Sequence, residues 1–180
     1  FAHAHIGDRV LGRLCFLACR ILQPATVIET GVAYGLTAAY MLHALHLNGF
    51  GILHSIDLPP LSAKADQYVG MLIPGRLRER WRLYHGASRW MLPQILNEVG
   101  SVDLFLHDSL HSYRTVAWEL KTVTPFLTRR AIVLADDVNC SDAFVDWTRR
   151  TQPSYFGFVQ EAEKRAVLGV AIFDGASSSR

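Results

Sequence analysis

Short apolar runs alternate with longer amphipathic segments along most of this chain. Four runs are rich in β-branched and aliphatic residues, as is typical of strands buried on both faces of a sheet. They are residues 26–28, 51–56, 102–106 and 131–135. Segments long enough for helices lie between them, at 36–47, 88–98 and 113–127. This alternation predicts an α/β fold with a largely parallel sheet and right-handed crossovers.

The end of the chain has a different pattern, which predicts an antiparallel hairpin. Residues 155–160 and 165–173 have the alternation of strands and flank a short polar segment, 161–164. Half of the 180 residues are hydrophobic, and no linker or repeat divides them. We therefore predict a single domain over 1–174, which includes an N-terminal helical segment over 1–24, and a flexible end over 175–180.

Charge and cysteine content change this picture little. A net charge of +2 with dispersed arginines does not indicate a nucleic-acid-binding protein. The apolar stretch 10–22 contains two arginines, so it is too short and too charged to span a membrane, and it has no signal-peptide core. With only three cysteines, we expect Cys15 and Cys19 to be buried thiols and Cys140 a half-buried one. The chain is predicted to be cytoplasmic, without nucleic-acid or membrane partners.

Acidic residues follow the predicted strands one after another. Glu29, Asp57, Asp108 and the pair Asp136 and Asp137 each lie where an apolar run ends. An open parallel sheet binds its ligands just beyond the carboxyl ends of its strands. We therefore expect these side chains to line one edge of the sheet and to form the functional site.

The turn after the first strand indicates the kind of ligand. Gly31 and Gly35 allow positive φ angles and a close approach of the backbone to a ligand, but they do not make the G-x-G-x-x-G pattern of dinucleotide sites. Glu29, two residues before the first glycine, suits an ammonium group better than a phosphate. Asp57, at the end of the second strand, is placed to bind a ribose diol. A nucleoside with a cationic tail is implied, and S-adenosylmethionine fits that description.

On these residues, nearly the whole chain resembles the class I S-adenosylmethionine-dependent methyltransferases. Residues 29–35 resemble the first motif of that family, Asp57 its ribose-binding acid, and residues 86–88 the turn beside adenine, although Ala87 stands where many members have an acid. The resemblance implies a Rossmann-like, mostly parallel seven-stranded sheet with helices on both faces and a C-terminal antiparallel hairpin. The cofactor-binding residues that it implies are Glu29, Thr30, Gly31, Tyr34, Gly35, Thr37, Asp57, Leu58, Gly86, Ala87, Ser88 and Asp108.

A second stretch is similar to one subgroup of this family. Residues 108–113 match the D-x-x-H-x-Y pattern of metal-dependent natural-product O-methyltransferases, which include macrolide-sugar enzymes and relatives of a cephalosporin-pathway enzyme. The resemblance implies catalytic roles for Asp108, as a metal ligand, and His111, as the base, with Asp136 and Asp137 as the remaining metal ligands. Three carboxylates favour a hard ion, magnesium first and manganese second. Such an ion would lower the pKa of an acceptor hydroxyl and orient it.

Several alternatives stay open at this point. His111 could instead be a helix-start or packing residue, and His107, which continues the strand run 102–106, is expected to be a satisfied core histidine. Neighbours in a regular strand face opposite sides, so Asp136 and Asp137 share an ion only if the strand ends or bends there. The oligomeric state is open as well, and a homo-oligomer is compatible with the resemblance.

The expected function is divalent-metal-assisted O-methylation of a hydroxyl on a small molecule, a secondary metabolite or a sugar, by an S-adenosylmethionine-dependent methyltransferase. One alternative is an enzyme of the same fold that works without metal. Another is a non-catalytic protein that binds the nucleoside cofactor.

Overall fold

The structure is a computed structural model, which describes residues 9–58, 66–160 and 166–175. Its described part contains one seven-stranded sheet with helices on both faces. The strands are β1 (Thr26–Thr30), β2 (Ile52–Asp57), β3 (Trp81–His85), β4 (Val102–His107), β5 (Leu127–Ala135), β6 (Tyr155–Gln160) and β7 (Val167–Asp174). The helices are α1 (Arg9–Leu22), α2 (Leu36–Asn48), α3 (Ser88–Val99), α4 (Tyr113–Val123) and α5 (Ala143–Thr151).

The sheet has the strand order β3-β2-β1-β4-β5-β7-β6. Strands β1 to β5 pair in parallel, whereas β7 lies antiparallel between β5 and β6. The predicted Rossmann-like architecture, with its C-terminal antiparallel hairpin, is therefore confirmed. Because the order reverses between β1 and β4, the helices that follow these two strands lie on opposite faces, and a crevice opens between their carboxyl ends.

Each central strand contributes to two hydrophobic cores, one on each face of the sheet. Val27 and Leu104 pack with α1 and α2 in one core, while their chain neighbours Ile28 and Phe105 pack with α3, α4 and α5 in the other. All four side chains are fully buried. This two-sided burial explains why the strands are continuous apolar runs rather than alternating ones.

The junction between α4 and β5 differs from the prediction. The helix predicted over 113–127 ends at Val123, because Pro125 cannot continue an α-helix and a single 3₁₀ turn, Thr124–Phe126, follows. Leu127 therefore begins β5 instead of contributing to the helix face, and β5 is four residues longer at its start than predicted.

The cysteines agree with the prediction in part. Cys15 and Cys19 are buried free thiols on α1, but Cys140 is exposed rather than half-buried. None of the helices in the described ranges has the length and hydrophobicity that a membrane span needs. The predicted turn of the hairpin, 161–164, lies outside the described residues, as do 1–8 and 176–180 of the predicted terminal segments.

Candidate active site at the carboxyl edge of the sheet

The loop after β1 is in direct contact with the backbone of Asp108. Gly31 has φ 85°, and a Cβ atom there would lie 2.0 Å from the carbonyl oxygen of Asp108. The amide of Asp108 donates to the carbonyl of Thr30 at 2.8 Å, and the amide of Gly31 donates to that of Ile56 at 2.9 Å. No side chain fits at Gly31. The predicted cofactor loop and the predicted metal-binding acid thus belong to one site.

Gly35 has a similar steric role at the start of α2. Its φ is 84°, and an added Cβ atom would lie 2.7 Å from the Cα atom of Gly70. The segment after β2 is also hydrogen-bonded to this loop, since the amides of Gly70 and Leu72 donate to the carbonyls of Ala33 and Tyr34. The loop is therefore covered by a second segment of backbone.

Asp57 lies at the end of β2 and shapes the same loop. Its Oδ2 accepts hydrogen bonds from the amides of Val32 at 2.7 Å and Ala33 at 2.9 Å. Ala33 has φ 46°, a conformation in which a residue other than glycine needs such support. Leu58 follows at the same edge with 66% of its surface exposed.

Three of the predicted cofactor-binding residues face the protein interior. Glu29, Thr30 and Thr37 are all buried. Glu29 accepts hydrogen bonds from Thr37 Oγ1 at 2.6 Å and from Ser55 Oγ at 2.8 Å, so each of its oxygens has a partner. Burial raises the pKa of Glu29 to about 7, against the opposing effect of these two hydrogen bonds. These side chains support the loop from inside the sheet.

The turn after β3 joins the same edge. The amide of Gly86 donates to the carbonyl of Asp57, and Ala87 is the N-cap of α3. The hydroxyl of Ser88 is one of the groups that lower the pKa of Glu119. Trp90, two residues further on, has 63% of its surface exposed and packs against the Arg89 guanidinium.

An acidic cluster lies beside the glycine loop. Asp108, His111 and Asp136 each have a potential ligand atom within 4.8 Å of the others. The carboxyl groups of Asp108 and Asp136 are neighbours in this cluster. Burial, followed by the charges of neighbouring carboxylates, raises the pKa of both groups. Two acids held together in this way favour a shared proton or a bound cation.

Asp137 takes a different position from its neighbour. Strand β5 ends at Ala135, and Asp137 adopts a left-handed conformation with φ 50°. Its Oδ2 is 3.7 Å from Nε2 of His111. Strand β5 therefore ends before the acidic pair, as joint ligation of one ion by Asp136 and Asp137 requires. The group of potential ligands, however, consists of Asp108, His111 and Asp136.

The residues of this cluster fit a divalent cation. Two half-buried carboxylates with raised pKa values gain a compensating charge from an ion, and oxygen ligands suit magnesium or manganese. Nε2 of His111 is the nitrogen that faces Asp137. Nδ1 of the same ring is buried and has no hydrogen-bond partner among the described residues, so no hydrogen bond at Nδ1 holds the ring.

Comparison with known proteins identifies the family. Residues 28–138, more than half of the chain, match the family model described as methyltransferase domain. The chain belongs to this family. The predicted class I S-adenosylmethionine-dependent methyltransferase is thereby confirmed.

Solved structures share the fold of this methyltransferase at low sequence identity. The O-methyltransferase TomG from Streptomyces achromogenes, in complex with SAM, is 15% identical with a TM-score of 0.72, over 95% of this chain and 82% of its own. An O-methyltransferase from Bacillus cereus, in complex with SAH, is 16% identical with a TM-score of 0.68, over 94% and 83%. A methyltransferase from Geobacter sulfurreducens is 21% identical with a TM-score of 0.70, over 94% and 82%. No curated protein sequence matches.

Glu119 is a site residue that the sequence analysis missed. It is fully buried on α4 and accepts hydrogen bonds from Thr30 Oγ1 at 2.6 Å and Ser109 Oγ at 2.9 Å, and it bonds Nδ1 of His107 at 2.7 Å. Burial alone would raise the pKa of Glu119, but the hydrogen bond from His107, together with those from the hydroxyl donors, lowers it. The available signal was an acid on the apolar face of α4, next to Leu120.

We predict that Glu29→Gln flattens the pH dependence of stability. The pKa of Glu29 rises from 4.5 to about 7 on folding, so between these values the native state holds a proton that the unfolded chain has lost. The contribution of Glu29 to stability is therefore most favourable below about pH 4.5 and falls as the pH rises to about 7. As the pH rises from 5 to 8, the free energy of unfolding of the wild type should therefore fall by about 2 kcal/mol relative to that of Glu29→Gln.

Urea unfolding at several pH values measures this difference. Glu98→Gln, an exposed glutamate on α3, serves as the matched control and should follow the wild-type curve. A Glu29→Gln curve parallel to wild type would show that Glu29 ionises normally in the folded protein.

We predict that Gly31→Ala destabilises the protein and abolishes binding of S-adenosylhomocysteine. The new methyl group would displace the backbone of Asp108 and strain a positive φ angle, at a cost of more than about 2 kcal/mol. Gly157→Ala on β6 is the control, because a Cβ atom there meets none of the described residues within 4 Å, and its effect should stay within about 0.5 kcal/mol. Equal melting temperatures for the two variants would contradict this account of the loop.

Proposed function

We propose that this methyltransferase transfers the methyl group of S-adenosylmethionine to a hydroxyl of a small molecule, a secondary metabolite or a sugar, with the help of a divalent ion. The observation that carries the proposal is the position of the acidic cluster. Asp108, His111 and Asp136 lie within reach of one ion, and the backbone of Asp108 touches Gly31 of the cofactor loop. An ion and a sulfonium methyl group would therefore meet at one place.

The cofactor is proposed to lie along the loop after β1. Gly31 and Gly35 leave its backbone without side chains at two points, and Asp57 is placed for the ribose hydroxyls. Glu29, Thr30 and Thr37 would act mainly from beneath, by holding the loop in shape. SAM in the TomG structure and SAH in the Bacillus cereus structure support this choice of cofactor.

The remaining proposed cofactor contacts lie in the glycine loop and in the turns after β2 and β3. Tyr34 lies in the glycine loop, and Leu58 follows Asp57 at the edge of the sheet. Gly86, Ala87 and Ser88 are proposed to pass close to adenine, since their turn is hydrogen-bonded to the backbone of Asp57. Asp108 is the last of the proposed cofactor-binding residues.

The acidic cluster is proposed to hold magnesium or manganese through Asp108 and Asp136, with Asp137 at its margin. A divalent ion bound there would lower the pKa of an acceptor hydroxyl and orient it toward the methyl group. Nε2 of His111 is placed to accept the hydroxyl proton. Asp137 Oδ2, at 3.7 Å from that nitrogen, would stabilise the resulting imidazolium.

A metal-independent methyltransferase is the second candidate, and one observation favours it. Asp108 and Asp136 each have a carboxylate oxygen within 4.8 Å of the other, and the pKa of both groups is raised, so a shared proton could take the place of an ion. In that case His111 would act on the acceptor alone.

We predict that Asp136→Asn weakens manganese binding at least tenfold and leaves S-adenosylhomocysteine binding nearly unchanged. The variant removes one of the two paired carboxylates, whereas Asp136 does not contact the glycine loop through any described hydrogen bond. Calorimetric titration of each ligand separates the two effects. Asp142→Asn, an exposed acid six residues later, is the control and should bind manganese as wild type does.

The same titration decides between the two candidates. Manganese binding to wild type that is lost in Asp136→Asn, together with turnover that requires the ion, supports the metal-dependent enzyme. Binding that is equal in wild type and Asp136→Asn would reject the proposed site and favour the metal-independent candidate.

A further inference from the structure

A buried hydrogen bond between a histidine and a carboxylate lies beside His111. His107, the last residue of β4, and Glu119 on α4 both have fully buried side chains, and Nδ1 of His107 is 2.7 Å from Oε2 of Glu119. His107 was expected to be a satisfied core histidine, but within the described ranges only one of its nitrogens has a partner. Among the described residues, its Nε2 atom is buried and forms no hydrogen bond.

The hydrogen bond to Glu119 sets the tautomer of His107. The Glu119 carboxylate also accepts hydrogen bonds from the hydroxyls of Thr30 and Ser109, so it acts as an acceptor on every side. Nδ1 of His107 must therefore carry the hydrogen. In the neutral ring, Nε2 is then an acceptor. A buried acceptor without a donor is costly, which indicates that a donor belongs beside it.

His111 is the neighbour that can supply this donor. The two rings meet edge to face, with centroids 5.7 Å apart and an interplanar angle of 88°. Nδ1 of His111 is likewise buried and unpaired within the described ranges. A small rotation of the ring, or one bridging water molecule, would join Nδ1–H of His111 to Nε2 of His107. That single interaction would satisfy both unpaired nitrogens.

We propose that His107, held by Glu119, is a positioning residue that fixes His111 as its Nδ1–H tautomer. The lone pair of His111 then lies on Nε2, the nitrogen that is 3.7 Å from Asp137. A histidine oriented through its second nitrogen by a buried partner is a recurrent arrangement around bases and metal sites. The catalytic consequence rests on the proposed function, because it takes His111 as the base. The tautomer itself does not depend on that function.

Two substitutions of His107 separate its two contacts. The amide of Asn reaches the position of Nδ1 and can still donate to Glu119, but it leaves nothing at the position of Nε2. The amide of Gln reaches the position of Nε2 and can still accept from His111. His107→Asn should therefore release His111, whereas His107→Gln should retain much of its orientation. A role in core packing alone would not rank the two variants in this order.

The direct test is ¹⁵N NMR of the histidine rings in the metal-free wild-type protein at pH 8, with the His111 signals assigned by their loss in His111→Gln. The expected result is a pyrrole-type signal for Nδ1 and a pyridine-type signal for Nε2 of His111. The Nε2–H tautomer, which an unconstrained histidine prefers, or a mixture of both forms, would overturn the proposal. This result stands whether or not the protein binds metal or transfers a methyl group.

The variants supply the second readout. His107→Asn should shift His111 toward the Nε2–H tautomer and lower kcat about 10- to 100-fold, with S-adenosylhomocysteine affinity and KM for the cofactor unchanged. His107→Gln should retain most of the Nδ1–H tautomer of His111 and most of the wild-type kcat. A wild-type tautomer in His107→Asn would overturn the proposal. A third outcome separates the two proposals. If the wild-type protein has the Nδ1–H tautomer of His111, His107→Asn loses it and neither protein turns over substrate, the proposed function is rejected. The role of His107 in positioning His111 would still hold.

Discussion

The site depends on the close approach of Gly31 to the carbonyl of Asp108. The strand order places β4 beside β1 with Thr30 opposite His107, so the chain segments that leave these strands start next to each other. A side chain at Gly31 would separate them, since its Cβ atom would lie 2.0 Å from the Asp108 oxygen. Every role proposed for the glycine loop and for the acidic cluster requires that these two segments remain in contact.

Two buried carboxylates hold this contact from opposite faces of the sheet. Glu29 binds Thr37 and Ser55 on the side of α2, and Ser55 in turn accepts from the indole of Trp81 at 2.9 Å. Glu119 binds the end of β1, the end of β4 and the loop after β4 on the side of α4. A buried carboxylate is costly unless it is hydrogen-bonded, and each oxygen of Glu29 and of Glu119 has at least one donor. The loop is thus preorganised by groups that need not contact a ligand.

The order of strands and helices could be predicted from the sequence because burial on both faces leaves continuous apolar runs, as at 102–106 and 131–135. The acids at the strand ends could also be predicted, since parallel strands bring their carboxyl ends to one edge. Side-chain direction was harder to predict. The spacing of Glu29 from the glycines suggested a ligand contact, yet hydrogen bonds to residues distant in sequence turn it inward. The pairing of Glu119 with His107 depends on how α4 packs against β4, which no local pattern reports. The length of β5 was misjudged because residues 128–130 are polar, at a point where the strand is only partly buried or exposed.

The central claim is that the glycine loop and Asp57 form an S-adenosylmethionine site. Calorimetric titration of S-adenosylhomocysteine into the wild-type protein and into Asp57→Ala tests it most directly, because Asp57 shapes the loop through Val32 and Ala33 and is the residue proposed to bind the ribose. The account predicts saturable one-to-one binding to wild type that is lost in a folded Asp57→Ala. A wild-type protein that does not bind, or an Asp57→Ala variant with undiminished affinity, would contradict it.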